Sequence, residues 1–157
     1  MAVFLYAARR LLLLLHAGAS VVLIGAASHH ALLMREYLRG QFGRQKVERT
    51  YAMVVSAAYL ATFAFGALLY PSYRVHVRGY FLDRYAPGYA GLFDVKEVYA
   101  SLTLMLALAL GAIAYRLRPT ESPVFIRIYA TMSFIVCAVV WFNVIAGILV
   151  TSVRGVG

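Results

Sequence analysis

A chain of 157 residues that is 63% hydrophobic and 13% charged, with a mean hydropathy of +0.78, has too little polar surface for a water-soluble domain. Its formal charge of +9 would suggest nucleic acid in a soluble protein. Here the Lys and Arg residues fall in short links between apolar runs, which argues against nucleic acid and for lipid headgroups, anionic lipids included, or an acidic membrane partner.

Four apolar runs, Leu11–Met34, Tyr51–Tyr70, Val98–Tyr115 and Ile128–Val153, each approach the roughly 20 residues that a helix needs to cross ~30 Å of hydrocarbon. Backbone N–H and C=O groups inside a bilayer must be satisfied within the chain, so these runs are expected to be helices. The predicted fold class is all-α, an integral membrane four-helix bundle forming a single domain over 1–157, with one long interfacial loop, 71–97, between helices 2 and 3. Arg9 and Arg10 ahead of Leu11–Leu15 give the first run a signal-peptide look, but it reads as a retained first span.

The first run holds three of the four histidines. At 100° per residue His16 and His30 differ by about −40° of rotation and about 21 Å of rise, with Ser20, Leu23 and Ala27 on the line between them. His29 points about 140° away from His16. Ala17, Gly18, Gly25 and Ala26 are small enough to admit a neighbouring helix or a flat cofactor. The link Arg35–Arg49 has only Glu36 and Glu48 against five cations, and reads as a solvated basic hairpin, with His29 and His30 solvated at the interface beside it.

In the second run Ser56, Tyr59, Phe63, Gly66 and Tyr70 share a face. The stretch 71–97 is rich in Tyr and Phe, as membrane interfaces are. Within it Tyr73–Arg78 alternates, so extended backbone would put Arg74, His76 and Arg78 on one side; Asp83-Arg84, Ala86-Pro87-Gly88 and Ala90-Gly91 read as turns. Lys96, Tyr99 and Thr103 follow at helical spacing as the third run begins. Pro119 and Pro123 interrupt the link 116–127, where Thr120 or Ser122 is placed to cap the fourth helix. That helix carries Tyr129, Ser133, Val136, Val140, Asn143 and Gly147 on one face, and the lone Cys137 reads as a small buried core residue. Lys and Arg divide almost evenly between the two sides. Crowding at the helix ends places 35–50 and 116–127 in the cytoplasm.

An ionisable residue inside a span is costly unless it has a use, which makes His16 the first candidate. A neutral imidazole ligates haem iron or another metal well. A site near the 71–97 face would combine His16 with Lys96 and with His76, Arg74 and Arg78: imidazole for iron, cations for propionates. His76 and His30 compete as second ligand or metal-binding residues. The bland reading is that His16 bonds a hydroxyl or carbonyl of another helix.

The segment Leu15-His16, followed by Gly25 and by further histidines at the helix end, resembles the first helix of small bacterial four-helix, haem-associated membrane proteins. These are the copper-resistance D-type proteins and the membrane-bound protoporphyrinogen oxidases. The likeness covers about one helix and implies haem at His16. The leading expectation is a b-type haem protein that passes electrons, alone or within a respiratory complex. A cofactor-free accessory or assembly subunit, docked on other membrane subunits or on copies of itself, is the alternative; a quinone-linked oxidoreductase using His16, Tyr59 and Asn143 is the third. The apolar runs hold no carboxylate, which speaks against a proton relay or a carboxylate-bridged di-iron site. No Cys-x-x-Cys, Gly-x-Ser-x-Gly or phosphate-binding glycine motif occurs, so hydrolytic and nucleotide-driven chemistry are disfavoured.

Overall fold

The computed structural model describes residues 5–118 and 122–155, and every regular element among them is helical. A 3-10 turn, Tyr6–Ala8, leads into α1 (Arg9–Leu38), then α2 (Gln45–Tyr73), a π-helical segment (Arg74–Leu82), a single turn α3 (Asp83–Tyr85), α4 (Pro87–Arg116) and α5 (Pro123–Val153). Four continuous helical stretches, Tyr6–Leu38, Gln45–Tyr85, Pro87–Arg116 and Pro123–Val153, are long and apolar enough to cross a membrane. Each exceeds the apolar run that announced it, because polar residues at the ends continue the helix.

The helices form a ring in which α1 and α4 each pack on α2 and α5. Neighbours run antiparallel: His16 meets Thr62 and His30 meets Glu48 between α1 and α2, while Tyr99 meets Phe142 between α4 and α5. Small residues set the spacing. Ala26, Ala27, Ala52, Ala107, Ala114 and Ala130 are buried between the helices, where short side chains let backbones approach. Gly111 is the tightest point: a Cβ there would lie 2.2 Å from Ser56 Oγ. The Ser56 hydroxyl donates across to the Ala107 carbonyl at 2.6 Å, tying α2 to α4. Gly18 and Gly25, by contrast, have open space where a side chain would go, and Ala17 is exposed, so of the four small residues expected to admit a neighbour only Ala26 is buried against one.

The ends of the helices follow local chemistry. Gly40 takes φ +74 just past α1, and its N–H reaches the Tyr37 carbonyl at 3.0 Å, a glycine-closed helix terminus. Ser122 caps α5 by accepting from the Phe125 N–H at 3.3 Å, with Pro123 in the first turn. Pro119 and Thr120, the other expected breaker and cap, lie outside the described residues.

The stretch 71–97 departs most from expectation: it is helical except at Ala86, where the chain turns with φ −149 and ψ 57. Pro71 removes one backbone donor inside α2, and wider i→i+5 turns follow from Arg74. Gly79 fits this winding, since a Cβ there would press on the Arg74 carbonyl at 3.3 Å. Tyr73, Val77 and Leu82 are buried with Ala90 and Val150. Their spacing of four and five residues matches the widened turn and not the alternation of a strand, so Arg74, His76 and Arg78 do not share a side. The segment is clasped to α4 by Arg78, which holds Asp94 in a bidentate pair (Nη2–Oδ2 3.0 Å) and approaches Asp83 at 3.4 Å. Arg78→Ala should cost no more than about 1 kcal/mol of global stability, because the pair is partly exposed. Its effect should appear as faster amide exchange confined to residues 74–85.

Candidate functional site

Two histidines lie on the inward line of α1, His16 half-buried near one end and His30 buried near the other. Where the bundle meets the π-helical segment, the His16 ring rests on the bare backbone of Gly66, so that a Cβ at Gly66 would come within 3.2 Å of Cε1. His16 Nδ1 bonds the Thr62 carbonyl at 2.9 Å. A carbonyl only accepts, so Nδ1 carries the proton, and Nε2 keeps its lone pair with no partner among the described residues. Carbonyl contacts of this kind hold metal-ligating imidazoles in one tautomer.

Lys96 comes from within α4, more than two turns past the helix start, and not from its first turn as expected. Its stem reaches across to α5, with Cε 3.6 Å from where a Cβ on Gly147 would sit. One turn from Gly147, Asn143 spends its amide N–H₂ on the Val139 carbonyl at 2.9 Å, leaving Oδ1 buried without a partner. Thr62 Oγ1 is also buried and unpartnered. Buried polar atoms are normally satisfied, so each of these is open to a polar group from elsewhere. Tyr59 is not open in this way: its hydroxyl donates to the Ala100 carbonyl at 3.0 Å.

The other expected members are not drawn to His16. The His76 ring packs against Tyr6 at 4.5 Å between centroids and stacks on Tyr80. Tyr6 precedes His16 by nearly three helical turns, about 15 Å of rise. Arg78 is committed to Asp94 and Asp83, and Arg74 is exposed at the rim. Among the described residues, no three His, Cys, Asp or Glu side chains come together as a metal cage.

At the opposite end, His30 is fully buried, where interfacial solvation was expected. Its Nδ1 lies 2.7 Å from Ser133 Oγ, and its Nε2 lies 3.1 Å from Glu48 Oε1 and 3.2 Å from the Tyr129 hydroxyl. With both nitrogens engaged, His30 has none left for iron. Tyr129 also donates to Glu48 Oε1 in a short hydrogen bond, and Tyr37 approaches Oε2 at 3.5 Å. Glu48 is 0% exposed. This corrects two expectations: the link 35–49 is not wholly solvated, and a carboxylate does lie inside a helix of the bundle, so the parts of a proton-handling site are present. The overlooked signal was the stripe Glu48, Ala52, Val55, Tyr59, which carries the buried face of α2 back through the first turn. His29, as expected, points outward and stacks on Tyr51 at 5.3 Å. Cys137 is half-buried and unpaired.

Tyr129→Phe would leave Glu48 Oε1 and His30 short of a shared hydroxyl. It is expected to lower stability by about 1–3 kcal/mol, read as a drop in the unfolding midpoint of the purified protein.

Comparison with protein-family models, with curated proteins and with solved structures finds no match for this chain.

Proposed function

We propose that this chain is an integral protein of the bacterial cytoplasmic membrane that holds a b-type haem at His16 and takes part in electron transfer, alone or as a subunit of a redox complex. Membrane insertion is supported by large apolar side chains turned outward at mid-helix, Leu14, Val21, Leu102, Met105, Ile145 and Ile148 among them. Lipid suits such a surface and water does not. The connections at 39–44 and 117–122 then lie on the cytoplasmic side, where their arginines favour them.

The observation that carries the cofactor reading is the state of His16: one ring nitrogen is fixed by the Thr62 carbonyl and the other is open. His16 Nε2 would be the iron ligand and Lys96 the partner of a propionate, with Gly66 and Gly147 removing bulk from α2 and α5. Haem held there supplies one-electron chemistry. The Thr62 carbonyl would hold the imidazole in one tautomer and Lys96 would offset the carboxylate charge. With His30 engaged elsewhere and His76 at Tyr6, this reading has a single histidine ligand.

An absorption spectrum of the purified protein tests it. A Soret band and a reduced α-band should be present, vanish in His16→Ala and survive in His76→Ala. A colourless preparation, or a spectrum indifferent to His16, overturns the reading.

A second reading, a cofactor-free accessory subunit, draws support from the exposed rings of Tyr80 (63%) and Tyr85 (72%) beside Arg74 and Arg84. Aromatic side chains interleaved with arginine suit a protein contact. A quinone headgroup is the third, since Thr62 Oγ1 and Asn143 Oδ1 await partners; quinol turnover by the colourless protein would decide for it.

A further inference from the structure

The cluster at the far end of α1 has no part in the reading of His16, from which it is separated by about 21 Å along the helix. It brings an imidazole, a carboxylate, two phenols and a serine hydroxyl into one bonded group without exposed polar surface: His30, Glu48 and Tyr129 are all 0% exposed, Ser133 2% and Tyr37 3%. A group of this kind pins helices together. Its bonding pattern allows something more.

We propose that His30 and Glu48 form a binding site for one exchangeable proton, loaded through Tyr37 from the end of the bundle that carries the 39–44 connection. In the proton-poor state Glu48 is an anion that accepts from Tyr37 at Oε2, His30 Nδ1–H donates to Ser133 Oγ, and the Tyr129 hydroxyl lies within reach of both Glu48 Oε1 and His30 Nε2. In the proton-rich state the added proton, handed from Tyr37 through the Glu48 carboxyl, sits on His30 Nε2 and is donated to Oε1, while Tyr129 donates to Oε1 and the Nδ1 bond stays as it was. A hydroxyl can rotate between acceptors, so Tyr129 lets both states stand with no ring nitrogen left unpaired. The gain is one proton taken from water and the return is one proton given back, with no bond to carbon and no electron moved. An ion pair replaces a lone buried anion, and that exchange makes uptake worthwhile in a site this dry.

The entry route follows from position. Tyr37 is one residue from the end of α1, its ring is covered edge-on by Phe42 at 5.0 Å, and its contact to Glu48 is the longest in the cluster. Phe42 belongs to the connection, not to a helix, so the proposed route opens when that loop moves off the Tyr37 ring. The other charged groups nearby have partners outside the cluster. Arg49, beside Glu48 on α2, donates to the Ala114 carbonyl at 3.3 Å and lies over Tyr115, and Glu36 on α1 pairs outward with Arg44. From α5 the facing groups are Tyr129 and Ser133; α4 supplies Leu110 and Ala114 to the surrounding core, and none of its described titratable side chains bonds to the cluster.

The test is a pH series of imidazole nitrogen NMR spectra on the whole protein, labelled at histidine and held in detergent, with the His30 signal identified as the one perturbed by Ser133→Ala. His30 should pass between neutral and doubly protonated forms within the pH range where the fold persists. Glu48→Gln should weaken its proton affinity about tenfold or more, since the anion that favours the cationic ring is gone. Tyr37→Phe should slow proton exchange at His30 while leaving that affinity nearly unchanged. A His30 ring that keeps one protonation state throughout in the wild-type protein overturns the proposal, whether or not Glu48→Gln folds. So does a Glu48→Gln variant that folds and leaves the transition where it was. Exchange indifferent to Tyr37→Phe overturns the entry route.

Discussion

Glu48→Ala should be the most damaging single substitution in this chain, lowering the unfolding free energy in detergent by about 3–5 kcal/mol. The carboxylate receives the Tyr129 hydroxyl and His30 Nε2 at one oxygen and Tyr37 at the other. Removing it strands donors from α1 and α5 in a space that water does not reach, and an unmade buried hydrogen bond costs more than a made one contributes. The size of the loss reflects that desolvation, not the strength of any one contact. Glu48→Gln keeps the volume and an acceptor oxygen, so it should retain most of the stability while losing the anion. Equilibrium unfolding followed by circular dichroism separates the two. If Glu48→Ala unfolds within about 1 kcal/mol of the wild type, the cluster contributes little to holding α1, α2 and α5 together. A value that small is typical of exposed pairs.

The second large effect is expected at Gly111, where a single methyl group should lower stability by about 1–3 kcal/mol. In Gly111→Ala the new Cβ falls 2.2 Å from Ser56 Oγ and 3.0 Å from Ser56 Cβ. The hydroxyl cannot swing aside without cost, because it bonds the Ala107 carbonyl at 2.6 Å and its own helix at the Ala52 carbonyl at 3.1 Å. The helices must part or the bond must break. Ser56→Gly should therefore rescue Gly111→Ala, since it removes both clashing atoms. Ser56→Ala should rescue it only in part, since the Cβ contact remains. A double-mutant cycle should give a favourable coupling of about 0.5–3 kcal/mol. Strict additivity of the two single changes would show that α2 and α4 do not depend on this contact.

Much of the architecture was legible in residue order, because hydropathy and helical period are local properties. The face Tyr129, Ser133, Val136, Val140, Asn143 and Gly147 turns inward as its spacing required, and the line from His16 through Leu23 and Ala27 to His30 does the same. The stretch 71–97 misled for a definite reason. Its alternation of Tyr73, Val75 and Val77 with Arg74, His76 and Arg78 mimics a strand, while the positions that settle its conformation, Ala90 and Val150, belong to other helices. Glu48 was hidden in a similar way. Arg44, Lys46 and Arg49 surround it in sequence, and its burial depends on Tyr129, 81 residues further along.

Composition and periodicity by themselves determined that this chain would make four long apolar helices with inward-facing stripes on α1, α2 and α5, since both follow from the free energy of placing side chains one by one; on α4 the expected stripe breaks at Tyr99, which is exposed. Which polar atoms would meet, and which would be left open, was decided only by the packed bundle. The Thr62 carbonyl selects the nitrogen that His16 keeps free, and Ser133 and Glu48 occupy both nitrogens of His30. Two histidines on one face of one helix thus receive opposite chemistry, because hydrogen-bond partners come from distant parts of the chain and act over about 3 Å, a distance that only tertiary structure sets.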